Sequence, residues 1–109
     1  MEKIHNKAIR DKIPEIIGKS GKNFLTRTLP DKAFLKKMEE KLVEEVEEYR
    51  ADGSVWELAD ILEVVYRIGE LKGCGRKKLE KMRVEKAGKN GAFRKNLLLV
   101  NVFGPKAEA

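Results

Sequence analysis

The residues of this sequence with the clearest chemical potential are acidic and lie near its middle. They are Glu44, Glu45, Glu47 and Glu48, followed after a short break by Glu57 and Asp60. Clustered carboxylates supply the oxygen ligands that Mg²⁺ prefers, and they repel one another unless a positive charge compensates them. The simpler alternative is a solvated helix face, on which Lys41 pairs with Glu44 or Glu45. The whole pattern favours a site for a hard cation.

Helical geometry would bring these carboxylates together. Glu45 and Glu48 are three residues apart, so on a helix they lie about 60° from each other, at the edge of its apolar stripe. Glu57 and Asp60 repeat the same spacing. The break at Asp52-Gly53 is short enough to make the two helices antiparallel neighbours. The two acidic pairs are therefore expected to face each other.

A structural role alone explains Glu57 more easily than Asp60, the other acid of the second helix. Ser54 is a suitable N-cap, and Glu57, three residues later, could be the acid of a capping box. Asp60 lies on a helix that is apolar over most of its circumference. A partly buried carboxylate there must find a cation or hydrogen-bond donors.

The elements that would position these residues are mostly helical. Apolar residues recur at three- and four-residue steps, and proline and glycine punctuate the pattern. The predicted helices cover about residues 12–18, 31–51, 55–72 and 76–88, and extended segments cover 23–29 and 96–103. The extended segments are expected to pair. We therefore predict a single all-α domain, residues 1–109, as a helical bundle with a minor two-strand element.

Composition limits the environment and the partners. The chain has one cysteine, Cys74, which excludes an internal disulfide and a cysteine-based zinc site. No apolar run approaches about 20 residues, so a cytoplasmic, non-membrane protein is expected. The net charge of +6 and the pI near 9.5 predict an anionic partner, either a nucleic acid, a membrane surface or a free nucleotide.

Three motifs in order resemble one family of enzymes. The pattern Glu-Glu-x-x-Glu, short turn, Glu-x-x-Asp resembles the signature of the all-α NTP pyrophosphatase superfamily, which includes MazG and phosphoribosyl-ATP pyrophosphohydrolase. Residues 6–15 resemble the "KLVRDKIPE" opening of small MazG-like proteins. Residues 86–93 resemble their "K…RGGF" element, although Lys89-Asn90-Gly91-Ala92 departs from it. The resemblance covers roughly residues 6–100.

This resemblance implies a MazG-like bundle and a Mg²⁺-dependent hydrolase, with Mn²⁺ as an alternative ion. Such enzymes cleave nucleoside triphosphates between the α- and β-phosphates, releasing a monophosphate and pyrophosphate, often to remove non-canonical nucleotides. The implied metal ligands are Glu45, Glu48, Glu57 and Asp60. The candidates for the base that activates water are Glu44 and Glu48. The candidate cations for the triphosphate are Arg10, Lys12, Arg83, Lys86 and Lys89.

Three other functions are weighed against this one. Phosphoribosyl-ATP hydrolysis in histidine synthesis would use the same chemistry on another substrate. A non-catalytic, basic nucleic-acid-binding protein would explain the pI but not the acidic cluster, which repels phosphates unless a metal is present. If the protein were only an interaction module, the three motifs would be coincidental. The broad apolar surface of the helix at 55–72 also predicts a homodimer or larger assembly, with neither a membrane nor a nucleic acid as partner.

Overall fold

The computed structural model of the chain describes residues 3–105, and that part contains four α-helices. They are α1 (Ile13–Lys19), α2 (Asp31–Asp52), α3 (Val55–Leu71) and α4 (Arg76–Asn90). The all-α prediction is confirmed, with each helix end within two residues of the expected position. None of these helices has both the length and the apolar character needed to cross a membrane.

A tight turn joins α2 and α3 into a helical hairpin. Gly53 has a φ of +68°, a left-handed conformation that glycine adopts without steric penalty, and its N–H donates to the Tyr49 carbonyl at 2.7 Å. Ser54 then caps α3, its hydroxyl accepting a hydrogen bond from the Trp56 N–H at 3.2 Å. The two helices pack against each other, as the short break predicts.

The N-terminal segment crosses this hairpin and closes a small core. Ala8 is buried with Met38 of α2 and Val64 of α3, and these are the buried apolar residues of the described chain. The Lys37 ammonium donates a hydrogen bond to the carbonyl of Asn6 at 3.3 Å, and this contact holds the N-terminal segment against α2. Because the N-terminal segment contains basic residues, its path over the hairpin brings positive charge to the acidic residues of α2 and α3.

Among the four described helices, α4 packs against α3 and not against α1 or α2. The close approach of the chain before α4 to α3 depends on Gly69, because an added Cβ there would lie 2.7 Å from the Cys74 carbonyl oxygen. The Cys74 N–H donates to the Gly69 carbonyl at 2.7 Å and turns the chain into α4. This helix therefore extends the hairpin from one side and leaves α2 uncovered on that side.

The predicted two-strand element is not formed within residues 3–105. Residues 23–29 and 96–103 have no regular secondary structure, and their apolar side chains are exposed, Leu25 by 96% and Leu98 by 84%. A two-stranded ribbon is marginal in water unless it packs on another layer. Residues 3–105 of one chain do not provide that layer for these segments.

Candidate metal centre

Three carboxylates converge at the α2–α3 interface. Glu45 of α2 and Glu57 and Asp60 of α3 each place one oxygen within 4.8 Å of the other two. The three-residue spacing puts Glu57 and Asp60 on one face of α3, and the hairpin turns that face toward Glu45. Glu45 is only 7% exposed. The structure therefore assembles three of the four predicted metal ligands.

Two oxygens of this cluster are buried and receive no hydrogen bond from the part of the chain that the structure describes. They are Oε2 of Glu45 and Oε2 of Glu57. A carboxylate oxygen removed from water without a partner is costly unless a proton or a cation compensates it. The capping-box role does not satisfy Glu57, because the Ser54 N–H donates instead to Oδ1 of Asp52 at 2.9 Å. Of the two roles considered for Glu57, its position supports the one in the cluster.

The electrostatics of the cluster follow from burial and crowding. Desolvation and repulsion from Asp52, Glu48, Asp60 and Glu45 raise the pKa of Glu57 to about 7. Desolvation, followed by the charge of Glu48, also raises the pKa of Glu45. Burial is the largest cause of both shifts, and repulsion between the neighbouring carboxylates adds to it.

The cation nearest to the cluster comes from the N-terminal segment. An Nη2 of Arg10 lies 2.6 Å from Oδ1 of Asp60, across 50 positions of sequence. The expectation that Asp60 is partly buried and needs a cation is confirmed, since its side chain is 37% exposed and carries this ion pair. Arg10 thus provides a positive charge at the cluster within the chain itself.

The two candidate bases lie in different surroundings. Glu44 is held by Lys7 at 3.0 Å and Lys41 at 3.5 Å. Partial burial raises its pKa, but these two lysines outweigh that effect and lower the pKa below its ordinary value. Glu48 is exposed and lies close enough to Glu45 and Glu57 to raise their pKa values. The structure therefore directs Glu44 toward lysines and leaves Glu48 beside the cluster.

A cleft of about 720 Å³ opens beside the carboxylates. Glu45 and Asp60 line it, and so do two of the predicted substrate-binding residues, Arg10 and Lys12. Three further cations that the sequence did not suggest for phosphate binding also line it: Lys41, Arg67 and Arg76. The cleft therefore combines anionic and cationic walls, as binding of a metal and a phosphate together would require.

Of these additional cations, only Lys41 was expected near the acidic residues, as a partner of Glu44 or Glu45. Lys41 is placed by helical spacing and lies 3.5 Å from Oε1 of Glu45. The guanidinium of Arg76 stacks 4.5 Å from the ring centre of Tyr66, and that of Arg67 lies 5.9 Å from the ring centre of Phe34. Only tertiary packing reveals such contacts.

The remaining predicted substrate cations lie on α4, outside the cleft. Arg83 forms a forked ion pair with Glu80, with Nη2 2.6 Å from Oε1, and lines a separate cavity of about 210 Å³ between α3 and α4. Lys86 and Lys89 are exposed and line neither cavity. Within one chain, the structure does not bring these three residues to the carboxylates.

The donor set fits a hard divalent cation. Mg²⁺ binds oxygen at 2.0–2.1 Å, so two of its ligand atoms are at most about 4.2 Å apart. The three oxygens lie within 4.8 Å of one another, which is close to that upper limit. Glu45, Glu57 and Asp60 are thus the residues that could hold the ion, and Glu48 lies outside this group of three, although its charge raises the pKa of Glu45 and Glu57.

No protein-family model, curated protein or solved structure matches the chain. The case for a function therefore depends on the site and on where the three motifs lie in the fold. The acidic motif spans the α2–α3 turn, the N-terminal motif crosses the hairpin beside it, and the third motif ends α4. Two of the three motifs meet at the cleft.

Proposed function

We propose that this protein is a MazG-like nucleotide pyrophosphohydrolase that uses Mg²⁺ or Mn²⁺ and cleaves between the α- and β-phosphates. The observation that supports it most is the convergence of three carboxylates with two partnerless buried oxygens beside a cation-lined cleft. An acidic surface that served only solubility would leave those oxygens in water.

The walls of the cleft are suited to an anhydride substrate. Arg10 offers a planar fork for phosphate oxygens, and Lys12 and Lys41 offer compact charges. In the proposed complex, Arg10 exchanges its contact with Asp60 for a contact with phosphate, which frees a carboxylate oxygen for the metal. The ion pair therefore keeps the cluster partly neutral until substrate and metal arrive.

The proposed chemistry needs little from the protein beyond charge and position. When bound, Mg²⁺ would neutralise phosphate charge and lower the pKa of a coordinated water. Glu48 is the better placed of the two candidate bases to accept a proton from the attacking water, because it lies beside the cluster and pairs with no lysine of residues 3–105. Glu44, held by two lysines, is assigned to positioning the N-terminal segment through Lys7.

A substrate screen tests this function directly. Ordinary and modified nucleoside triphosphates, together with phosphoribosyl-ATP, are incubated with Mg²⁺ or Mn²⁺, and pyrophosphate and orthophosphate are measured separately. We expect pyrophosphate and a monophosphate from at least one triphosphate. Preference for phosphoribosyl-ATP would move the function to histidine synthesis. Release of orthophosphate alone, or no turnover of any compound, would contradict the proposal.

Arg10 provides a second test, because it pairs with Asp60 in the structure and is proposed to bind phosphate in the complex. Arg10→Gln is expected to lower kcat/KM by about ten- to a hundredfold, the value of one or two charge-assisted hydrogen bonds. Arg10→Lys should recover only part of the loss, since lysine lacks the fork. Steady-state kinetics measure both, with Lys19→Gln as the control, because Lys19 pairs with Glu15 and does not line the cleft. Equal kinetics for Arg10→Gln and the control would remove Arg10 from substrate binding.

A further inference from the structure

The chain exposes far more surface than a compact protein of its mass. Its accessible area is 10642 Å², whereas a folded monomer of 12.4 kDa exposes about 6,100 Å². Its radius of gyration is 19.9 Å, against about 13 Å for a compact domain of this length. A standard interface removes about 800 Å² from each partner. The excess area is thus several times what a stable dimer needs to bury.

Part of this exposed surface lies in the segment that follows α4, residues 96–103, here called the C-terminal arm. Leu97, Leu98, Leu99, Val100, Val102 and Phe103 are 75–86% exposed. The arm forms no backbone hydrogen bond with the rest of residues 3–105. Its apolar residues run consecutively rather than alternating with polar ones, which is typical of an extended segment covered on both faces. Nothing in the described part of the same chain covers either face.

A second uncovered apolar surface lies on α3. Val55, Leu58 and Leu62 follow the three- and four-residue spacing of one helical stripe, and they are 77%, 45% and 48% exposed. Trp56 is 81% exposed beside them. This stripe and Trp56 form what is here called the α3 face. The arm and the α3 face both remain open in a single chain, although each needs an apolar partner.

We infer that the C-terminal arm of each chain packs on the α3 face of a second copy, so that two copies exchange arms. Reciprocal exchange of an identical segment between two copies closes a two-fold dimer, in which each contact of an arm with an α3 face occurs twice. The inference stands apart from the proposed function, because it depends on apolar area and not on the carboxylates. It also places the interface next to the cluster, since Glu57 lies between Trp56 and Leu58 in the sequence.

Sedimentation of matched variants tests the exchange. Leu98→Lys places a charge in the centre of the arm, and Asn101→Lys adds the same charge to the same segment without removing an apolar side chain. We expect the unaltered chain and Asn101→Lys to sediment as dimers at micromolar concentration. Leu98→Lys should weaken the dimer by about a hundredfold, because the change acts at both symmetric contacts. A monomeric unaltered chain, or equal dissociation of both variants, would overturn the inference.

Cross-linking identifies the surface on which the arm packs. In a Cys74→Ser background, one chain carries Leu99→Cys and a differently sized chain carries Leu58→Cys; the two are mixed and treated with a short bismaleimide. The exchange predicts a product that joins the two different chains in preference to two like chains. A chain carrying both cysteines should likewise form cross-links between chains. Cross-linking mainly within that chain would show that the arm folds back on its own α3 and would refute the exchange.

Discussion

Replacing Asp60 with asparagine is expected to lower turnover by about a hundredfold or more while leaving the helices intact. The substitution keeps the size of the side chain but removes a negative charge that the proposed metal ion requires, and transition-state stabilisation by the ion is worth several kcal/mol. It also relieves the repulsion that Asp60 exerts on Glu45 and Glu57. Pyrophosphate release measures activity, and far-ultraviolet circular dichroism measures helix content.

Glu63→Gln is the matched control for this experiment. Glu63 lies three residues further along α3 and lines the same cleft, but it does not belong to the group of three carboxylates. The same charge change at that position should leave turnover within about threefold of the unaltered protein. Asp60→Asn with unaltered turnover would remove Asp60 from the site. An equal loss in both variants would indicate that the net charge of the cleft matters, and not a metal ligand.

The parts of the fold that depend on local signals follow from the sequence. The α2–α3 hairpin is predictable because apolar spacing defines the helices and Asp52-Gly53 separates them, and glycine does adopt a left-handed conformation there. Once the hairpin forms, helical spacing is sufficient to bring Glu45, Glu57 and Asp60 together. The core of the candidate site is therefore encoded within a stretch of sixteen residues, from 45 to 60.

Contacts between segments that are far apart in the sequence leave no comparable pattern in the sequence itself. Arg10 could have paired with any of several acids, and only the path of the N-terminal segment over the core selects Asp60. The stacking of Arg76 on Tyr66 likewise depends on how α4 packs. The paired strands were expected because residues 23–29 and 96–103 have strand-like composition. Strand propensity reflects a surface to pack on, which one chain does not supply.

Without divalent ions, the protein is expected to lose stability as the pH rises from about 5 to 8. The pKa of Glu57 is raised from 4.5 to about 7, and that of Glu45 is also raised, so the folded state holds more protons than the unfolded state in this range. The free energy of unfolding must then decrease with rising pH, and the contribution of Glu57 is lost as the pH passes through about 7. Thermal or urea unfolding in the presence of a chelator measures this slope.

Adding Mg²⁺ should oppose that trend, because the ion requires the charged carboxylates that high pH provides. At a concentration one hundred times the dissociation constant, selective binding to the folded state adds about 2.7 kcal/mol to the free energy of unfolding, and the gain should be larger at pH 8 than at pH 5.5.

Glu57→Gln should flatten the pH dependence of stability and remove most of the Mg²⁺ effect. Glu47→Gln, on the same acidic run but outside the group of three, should change neither. A stability that rises with pH in chelator would contradict the charge crowding at Glu57, whereas no Mg²⁺ effect at pH 8 would contradict the metal site alone. The two outcomes therefore separate the electrostatics of the cluster from its proposed use.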